Sequence, residues 1–106
     1  MKKILIGCPT SDSHEYALEQ YAKALKALTY PNFDILLVDN SKGDGYKEKL
    51  ESHDLKVLKC PYFESARDRI IISRNLLRQY ALDKGYDYLF SLEQDVIPPK
   101  DVLERL

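Results

Sequence analysis

The sequence contains no tryptophan, one methionine, two cysteines and four glycines in its 106 residues. Cys8 and Cys60 are too far apart for a metal knuckle or a redox pair, and too few for a disulfide framework. We therefore expect reduced thiols and a cytoplasmic protein. The glycines form neither the G-x-G-x-x-G of a dinucleotide site nor the G-x-x-x-x-G-K-[ST] of a P-loop, so both phosphate-binding sites are excluded.

A strong charge of one sign is also missing. Sixteen basic and seventeen acidic residues leave a net charge of -1, so no overall field favours nucleic acid or a membrane surface. No apolar run approaches the roughly 20 residues that span a bilayer, and the start of the chain lacks a signal-peptide pattern. The sequence predicts a soluble protein with no nucleic-acid partner and no membrane segment.

Apolar runs alternate with segments of helical spacing along the chain. The apolar runs, rich in β-branched residues, predict strands at residues 2–7, 33–40, 55–60 and 86–92. Helical spacing predicts helices at residues 12–28, 46–52 and 66–84. Because the strands lack polar alternation, they predict a mostly parallel sheet covered on both faces. The expected fold is a single α/β domain, a Rossmann-like βαβαβαβ three-layer sandwich.

The starts of two helices carry specific expectations. Asp12 and Glu15 resemble a capping box for the first helix. The run of isoleucines at 70–72 is poor helix material, so Ser73 is an alternative N-cap for the last helix, which Gly85 ends. Residues 98–106 open a further apolar periodicity, and we expect related chains to continue beyond it.

Three polar loops follow predicted strands and fall on one edge of the sheet. Ligands of parallel α/β sheets bind beyond the carboxyl ends of the strands. The loops are residues 8–12, 39–45 and 93–95, and the last places Glu93 and Asp95 at a strand tip. These carboxylates are therefore expected to face a ligand crevice.

The order of the sequences "VDNS" at 38–41, "SRN" at 73–75 and "YDYLFSLEQDVIPP" at 86–99 resembles glycosyltransferase family 2 of the GT-A fold. The resemblance is to the nucleotide-sugar-binding half of these inverting enzymes and extends over essentially all 106 residues. It implies a single nucleotide-sugar-binding domain, residues 1–106, that is incomplete at its C-terminus.

The resemblance implies that Mn²⁺ or Mg²⁺ bridges the two phosphates of the sugar donor at the acid-x-acid triplet. Asp95 is the better metal ligand by position, and Glu93, one methylene longer, reaches the metal or the ribose. Hard divalent cations prefer such oxygen ligands. The alternative is that both acids are solvated side chains at a strand end, or that Asp95 caps a turn before Pro98.

The resemblance also implies a set of nucleotide-binding residues. Asp39 would bind the nucleobase or ribose, with an Asx-turn as an equally weighted alternative. Arg74 and Asn75 would face the diphosphate, whereas Arg67 and Arg69 are weaker candidates. The full nucleotide-binding set is Pro9, Thr10, Asp39, Asn40, Ser41, Arg74, Asn75 and Glu93.

His14 and His53 are too isolated to form a metal pair, and both are expected at the surface. The eight tyrosines are explained by packing before any sugar-stacking role.

Three functions remain open from the sequence. The first is a metal-dependent glycosyltransferase, or its donor-binding half, that uses a UDP-, dTDP- or GDP-sugar. No residue is identified as the general base that an inverting transfer requires. The second is a non-catalytic nucleotide-sugar-binding or regulatory module, and the third is a plain α/β interaction domain. A missing acceptor-binding region would leave an apolar sheet edge exposed, which favours a homodimer.

Overall fold

The computed structural model describes residues 1–106. The four strands are β1 (Ile4–Thr10), β2 (Phe33–Asp39), β3 (Val57–Lys59) and β4 (Tyr88–Ser91). The three α-helices are α1 (Leu18–Lys26), α2 (Gly45–Ser52) and α3 (Ala66–Asp83). Two short 3₁₀ helices lie at Asp12–Ala17 and Leu103–Arg105. None of the helices combines the length and the apolar character needed to cross a bilayer.

All strand pairs of the single sheet are parallel, in the order β3-β2-β1-β4. Ile4 of β1 pairs with Phe33 of β2 on one side and with Tyr88 of β4 on the other. The predicted parallel βαβαβαβ arrangement is therefore confirmed. β1 lies between β2 and β4, and its carboxyl end is flanked by the loops that follow both neighbours.

β1 is longer than the sequence predicted, because Cys8, Pro9 and Thr10 continue the strand instead of ending it. The carbonyl of Gly7 accepts a hydrogen bond from Leu92 on the β4 side, and the carbonyl of Thr10 accepts one from Asn40 on the β2 side. The backbone N–H and C=O groups of successive β1 residues thus point to alternate neighbouring strands, and the C=O of Pro9 points to the β4 side. β4 has already ended there, so the missing N–H of the proline leaves no acceptor unpaired.

Helices lie on both faces of the sheet, as a three-layer sandwich requires, although three of the four residues of β4 stay exposed. Alternate residues of β1 enter two separate cores: Ile4 and Ile6 pack with α1 and α2, whereas Leu5 packs with α3. The larger core holds thirteen buried residues and the smaller six. Because both faces of β1 are apolar and buried, the strand is an uninterrupted apolar run in the sequence.

The helix α3 begins at Ala66, as predicted, and the alternative in which Ser73 is its N-cap is wrong. Ser65 is the N-cap, and its hydroxyl accepts a hydrogen bond from the backbone N–H of Asp68 at 3.3 Å. Ser73 is fully buried inside the helix. The isoleucine run is tolerated because packing of α3 on the sheet outweighs the small loss of χ1 freedom. Gly85 follows the C-cap at φ +72°, which confirms the predicted stop.

The predicted capping box at the first helix is also wrong. Residues from Asp12 form a 3₁₀ helix whose N-cap, Ser11, makes no side-chain capping bond, and α1 follows from Leu18. The Glu15 carboxylate instead pairs with Lys49 of α2, with Nζ and Oε1 2.7 Å apart. Of the periodic segment 98–106, only the 3₁₀ turn Leu103–Arg105 is helical.

Candidate functional site

A cleft of about 320 Å³ opens at the carboxyl edge of the sheet, between the ends of β1 and β4 and the first turns of α3. Five of the residues predicted from the sequence line it together, namely Pro9, Thr10, Asn40, Arg74 and Glu93. We call this space the first cleft. Its other lining residues are Ser11, Ser13, His14, Ala66, Arg69 and Ile70.

A second cavity of about 300 Å³ adjoins the first cleft on the β2 side. The two spaces share Ser11, Ser13, Asn40 and Arg69, so they form one continuous depression. The second cavity adds the predicted residue Ser41. Its remaining lining residues are Asp12, Lys42 and Tyr62. The depression therefore extends over the ends of β1, β2 and β4.

Asp39, at the end of β2, is fully buried and lines neither space. Its Oδ1 accepts a hydrogen bond from the backbone N–H of Ser41 at 2.9 Å, the arrangement of an Asx-turn. Its Oδ2 lies 3.1 Å from Nζ of Lys59, which also donates to the carbonyl of Ser41. Both carboxylate oxygens thus have protein partners, and they hold the turn that follows β2.

The loops around the depression are tied to one another. Oγ of Ser41 accepts a hydrogen bond from the backbone N–H of Asp12 at 2.8 Å, which joins the loops after β2 and β1. Nδ2 of Asn40 donates to Oγ of Ser73 at 3.2 Å, which joins the β2 loop to α3. The walls are therefore fixed by the protein itself.

Basic side chains of α3 face the one acid in the first cleft. Nη2 of Arg74 lies 3.6 Å from Oε1 of Glu93, and the two side chains are 62% and 48% exposed. An exposed pair at this distance contributes little free energy, so Arg74 is free to exchange its partner for another anion. Arg69 lines both spaces although the sequence ranked it lower, whereas Asn75 and Arg67 line neither.

His14 also lines the first cleft and is half-buried, so the expectation of a plain surface histidine missed its position. The two guanidinium groups of Arg69 and Arg74 outnumber the single carboxylate of Glu93 in the cleft. A space with this balance of side chains suits an anionic ligand. No local pattern in the sequence points to His14, because its neighbourhood arises from the 3₁₀ helix that brings its carbonyl to Gln94, beyond the end of β4.

The acid-x-acid triplet places two exposed carboxylates around a buried amide. Gln94 is 2% exposed, whereas Glu93 and Asp95 are exposed. The pKa of the Cys8 thiol is raised to about 12, mainly by burial and in part by the negative charges of Glu93 and Asp95. Both carboxylates therefore lie near the end of β1. No side-chain hydrogen bond of Asp95 caps the turn before Pro98, and Asp95 lines no cavity.

The two acids fit a divalent cation only in part. No group of three or more His, Cys, Asp or Glu side chains converges in the structure. Glu93 and Asp95 nevertheless offer the one or two carboxylates with which Mg²⁺ or Mn²⁺ is commonly held when substrate phosphates complete its coordination. The residues present therefore fit a metal that arrives with a diphosphate.

Gln94 is a buried polar residue between the two acids that was not predicted from the sequence, although a signal was present. Residues of a strand alternate between its two sides, and Leu92 belongs to the larger core. Position 94 lies two residues further on, in the turn that follows β4, and the buried and exposed residues continue to alternate there, with Gln94 buried between the exposed Glu93 and Asp95. A polar side chain at a buried position requires hydrogen-bond partners, which marks it as part of a network.

Comparison with known proteins gives one family and one fold. A family model described as "Glycosyl transferase family 2" matches residues 8–106. The crystal structure of S. aureus TarS matches with a TM-score of 0.65 and 20% sequence identity, over 97% of this chain and 18% of that chain. At this identity the likeness concerns the fold, and the chain spans about a fifth of that protein's length. No curated protein matches the sequence.

Proposed function

Because the chain belongs to glycosyl transferase family 2, we propose that it binds a nucleotide-diphosphate sugar as the donor-binding part of an inverting, metal-dependent glycosyltransferase. The parallel α/β sheet is the fold expected for the GT-A enzymes of this family. One observation carries the proposal: the first cleft, rich in basic side chains, lies at the carboxyl edge of the sheet directly beside Glu93.

The diphosphate of the donor is assigned to the α3 side of the first cleft. Arg74 would exchange Glu93 for a phosphate oxygen, since a guanidinium binds phosphate bidentately and the existing pair is weak. Arg69 lies beside it, anchored by bonds from Nη1 to the carbonyls of Phe63 and Glu64 at 2.6 and 2.8 Å. Asn75 stays a predicted contact that would require a ligand extending beyond the cleft.

The nucleoside is assigned to the ends of β1 and β2, where Pro9, Thr10, Asn40 and Ser41 line the depression. Asp39 also stays a predicted nucleoside contact. To reach the ligand, its carboxylate would have to leave the backbone N–H of Ser41 or the ammonium of Lys59. UDP, dTDP and GDP are the candidate nucleotides.

Asp95 and Glu93 are the residues proposed to hold Mn²⁺ or Mg²⁺. When bound, the metal would offset the negative charge that develops on the departing diphosphate. The Glu93 carboxylate already pairs with Arg74, so it would be shared between Arg74 and the metal. Asp95 has no side-chain partner of this kind, which supports its ranking as the better ligand.

Calorimetric titration with UDP, dTDP and GDP, each with and without Mn²⁺, tests the proposal. We expect one nucleotide to bind more tightly with the metal, and Asp95→Ala to weaken that binding about 10- to 100-fold, the equivalent of one charged interaction. Asp101→Ala is the matched control, because its carboxylate is exposed and pairs only with Arg105 four residues away. Flat titrations with all three nucleotides would contradict the proposal.

A second candidate is a donor-binding module without catalysis of its own. Glu93 is the only Asp or Glu that lines the first cleft, and it already faces Arg74, so no separate carboxylate is placed there as a general base. Release of nucleoside diphosphate from UDP-, dTDP- and GDP-sugars in the presence of acceptor sugars separates the two candidates. Binding without release favours the module.

We also propose that residues 1–106 act as one donor-binding domain, completed by an acceptor-binding region or by a second copy of the chain. A reducing cytoplasm is the proposed compartment, because Cys8 and Cys60 are both free, buried thiols.

A further inference from the structure

Gln94 connects three elements of the fold at the point where the two acids emerge. Its Oε1 accepts a hydrogen bond from the Thr10 hydroxyl at the end of β1. Its Nε2 donates to Oη of Tyr46 in α2 at 2.5 Å and to the carbonyl of His14 in the 3₁₀ helix at 3.3 Å. The oxygen and both N–H groups of the side-chain amide are therefore used.

This network fixes the backbone of the acid-x-acid triplet. The residue before the triplet is also held, because Oη of Tyr21 donates to the carbonyl of Leu92 at 2.8 Å. Glu93 and Asp95 make no backbone-anchoring contact with their own side chains and are exposed. Glu93 and Asp95 flank a turn that follows β4, closed by the backbone N–H of Val96, which donates to the carbonyl of Glu93 at 3.1 Å. The buried residues Leu92 and Gln94 hold this turn, and with it the backbone positions from which the two carboxylates extend.

We propose that Gln94 is the positioning residue of the carboxylate pair and sets the separation of Glu93 and Asp95 for a divalent cation bound with a nucleoside diphosphate. This inference rests on the proposed function. Gln94 would touch neither metal nor nucleotide, because it is 2% exposed and its polar atoms are occupied by protein partners. Supporting residues behind metal ligands commonly control metal affinity in this way.

The side-chain amide of glutamine suits position 94 better than the side chains of glutamate or leucine, which are similar in size. Glutamate has the same length but cannot donate to the carbonyl of His14, and it would add a third negative charge between two others. Leucine fills a similar volume but would remove the donor to that part-buried carbonyl. Only a side chain that both accepts and donates satisfies Thr10, Tyr46 and His14 at once.

The test compares the affinity for UDP, dTDP and GDP with and without Mn²⁺ in three variants of the full chain. Gln94→Leu removes the whole network, and Tyr46→Phe removes one hydroxyl from it. The matched control is Tyr86→Phe, which removes the bond from Oη of Tyr86 to Asp34 at the opposite end of the sheet. The quantity compared is the gain in affinity that Mn²⁺ produces.

We expect Gln94→Leu to reduce the Mn²⁺-dependent gain about 10- to 100-fold, as loss of a supporting partner does at metal sites. Tyr46→Phe should reduce it less and in the same direction, and Tyr86→Phe should leave it unchanged. A change confined to stability would instead alter binding with and without Mn²⁺ equally, and that result would overturn the inference.

The remaining outcomes separate this inference from the proposed function. If the unaltered chain gains affinity from Mn²⁺ and folded Gln94→Leu gains as much, Gln94 has no positioning role although the function stands. If Gln94→Leu does not fold, an unchanged gain in Tyr46→Phe overturns the positioning role in the same way. If the unaltered chain shows no gain with any of the three nucleotides, both proposals fall.

Discussion

At the scale of single residues, Cys8 shows how the site alters its surroundings. The thiol is buried at the end of β1, beneath the loop that carries the two acids. Its pKa is raised from an ordinary 9.0 to about 12, mainly by burial and in part by the charge of Glu93. The neutral thiol is therefore the form that the folded protein favours, in keeping with a packing role.

This pKa predicts a loss of stability in alkali. Above pH 9.0 the thiol of the unfolded chain releases its proton, whereas the folded chain holds it to about pH 12. The unfolded state then binds fewer protons, so the free energy of unfolding falls by about 1.4 kcal/mol per pH unit from this group. Burial also raises the pKa of Tyr21 and Tyr46, which acts in the same direction at higher pH.

Urea unfolding at a series of pH values above neutrality measures this slope. Cys8→Ala should make the fall of the unfolding free energy with pH less steep between pH 9.0 and the pKa of the folded state, because one proton fewer is released on unfolding. Equal slopes in the variant and the unaltered chain would show that the Cys8 thiol ionises as easily in the folded state as in the unfolded one.

The sequence could predict part of the site at this scale. Asn40, Arg74 and Glu93 are expected beside a ligand because motif order and strand ends locate them, and the structure brings them to one cleft. Asp39 shows the limit, because the sequence left two roles open and only coordinates reveal its bonds to Lys59 and Ser41. Partners that are distant in the chain leave no local pattern.

At the scale of elements, a glycine decides how closely α3 approaches the sheet. A Cβ atom added to Gly7 of β1 would lie 2.2 Å from the carbonyl oxygen of Leu36 and 2.8 Å from Cδ1 of Leu77. Leu36 belongs to the adjacent strand and Leu77 to α3. The absent side chain therefore allows β2 and α3 to close over β1.

Gly7→Ala is expected to lower the free energy of unfolding by about 3 kcal/mol, because backbone and a packed leucine must both shift. Gly45→Ala is the matched control, since an added Cβ there meets nothing within 4 Å at the first residue of α2. It should raise stability by up to about 1 kcal/mol, as alanine does in a helix. Urea unfolding measures both, and equal effects of the two changes would contradict this account of the packing.

The elements themselves were largely predictable, whereas some of their ends were not. Four strands and three helices follow from apolar runs and helical spacing, because each strand and helix buries a continuous face. The end of β1 was missed because Pro9 is acceptable only where β4 has stopped. The start of α3 at Ala66 was predicted, and the alternative N-cap at Ser73 is wrong because the packing of Ile72 and Leu76 on the smaller core outweighs local propensity.

At the scale of the whole molecule, the chain is compact. Its radius of gyration is 13.3 Å, close to the about 13 Å of a compact domain of 100 residues. The chain is therefore compact although it covers 18% of the length of TarS. The binding experiments above can accordingly be made with this chain alone.

The free edge of β4 leads to the last prediction. β4 pairs only with β1, and its residues Tyr88 and Leu89 are 49% and 38% exposed. An exposed strand edge with apolar side chains favours pairing with another strand, so we expect a dimer whose fraction rises with concentration in sedimentation velocity.

Leu89→Lys should shift this equilibrium towards the monomer, because a charge on an edge strand opposes pairing. Leu82→Lys is the matched control: Leu82 is also exposed, at 59%, but lies on the helix α3 and not on β4. If both variants lower the dimer fraction equally, general surface hydrophobicity drives association. A monomer at every concentration would instead show that the β4 edge is protected in the isolated chain, since an unprotected apolar edge would self-associate as the concentration rises.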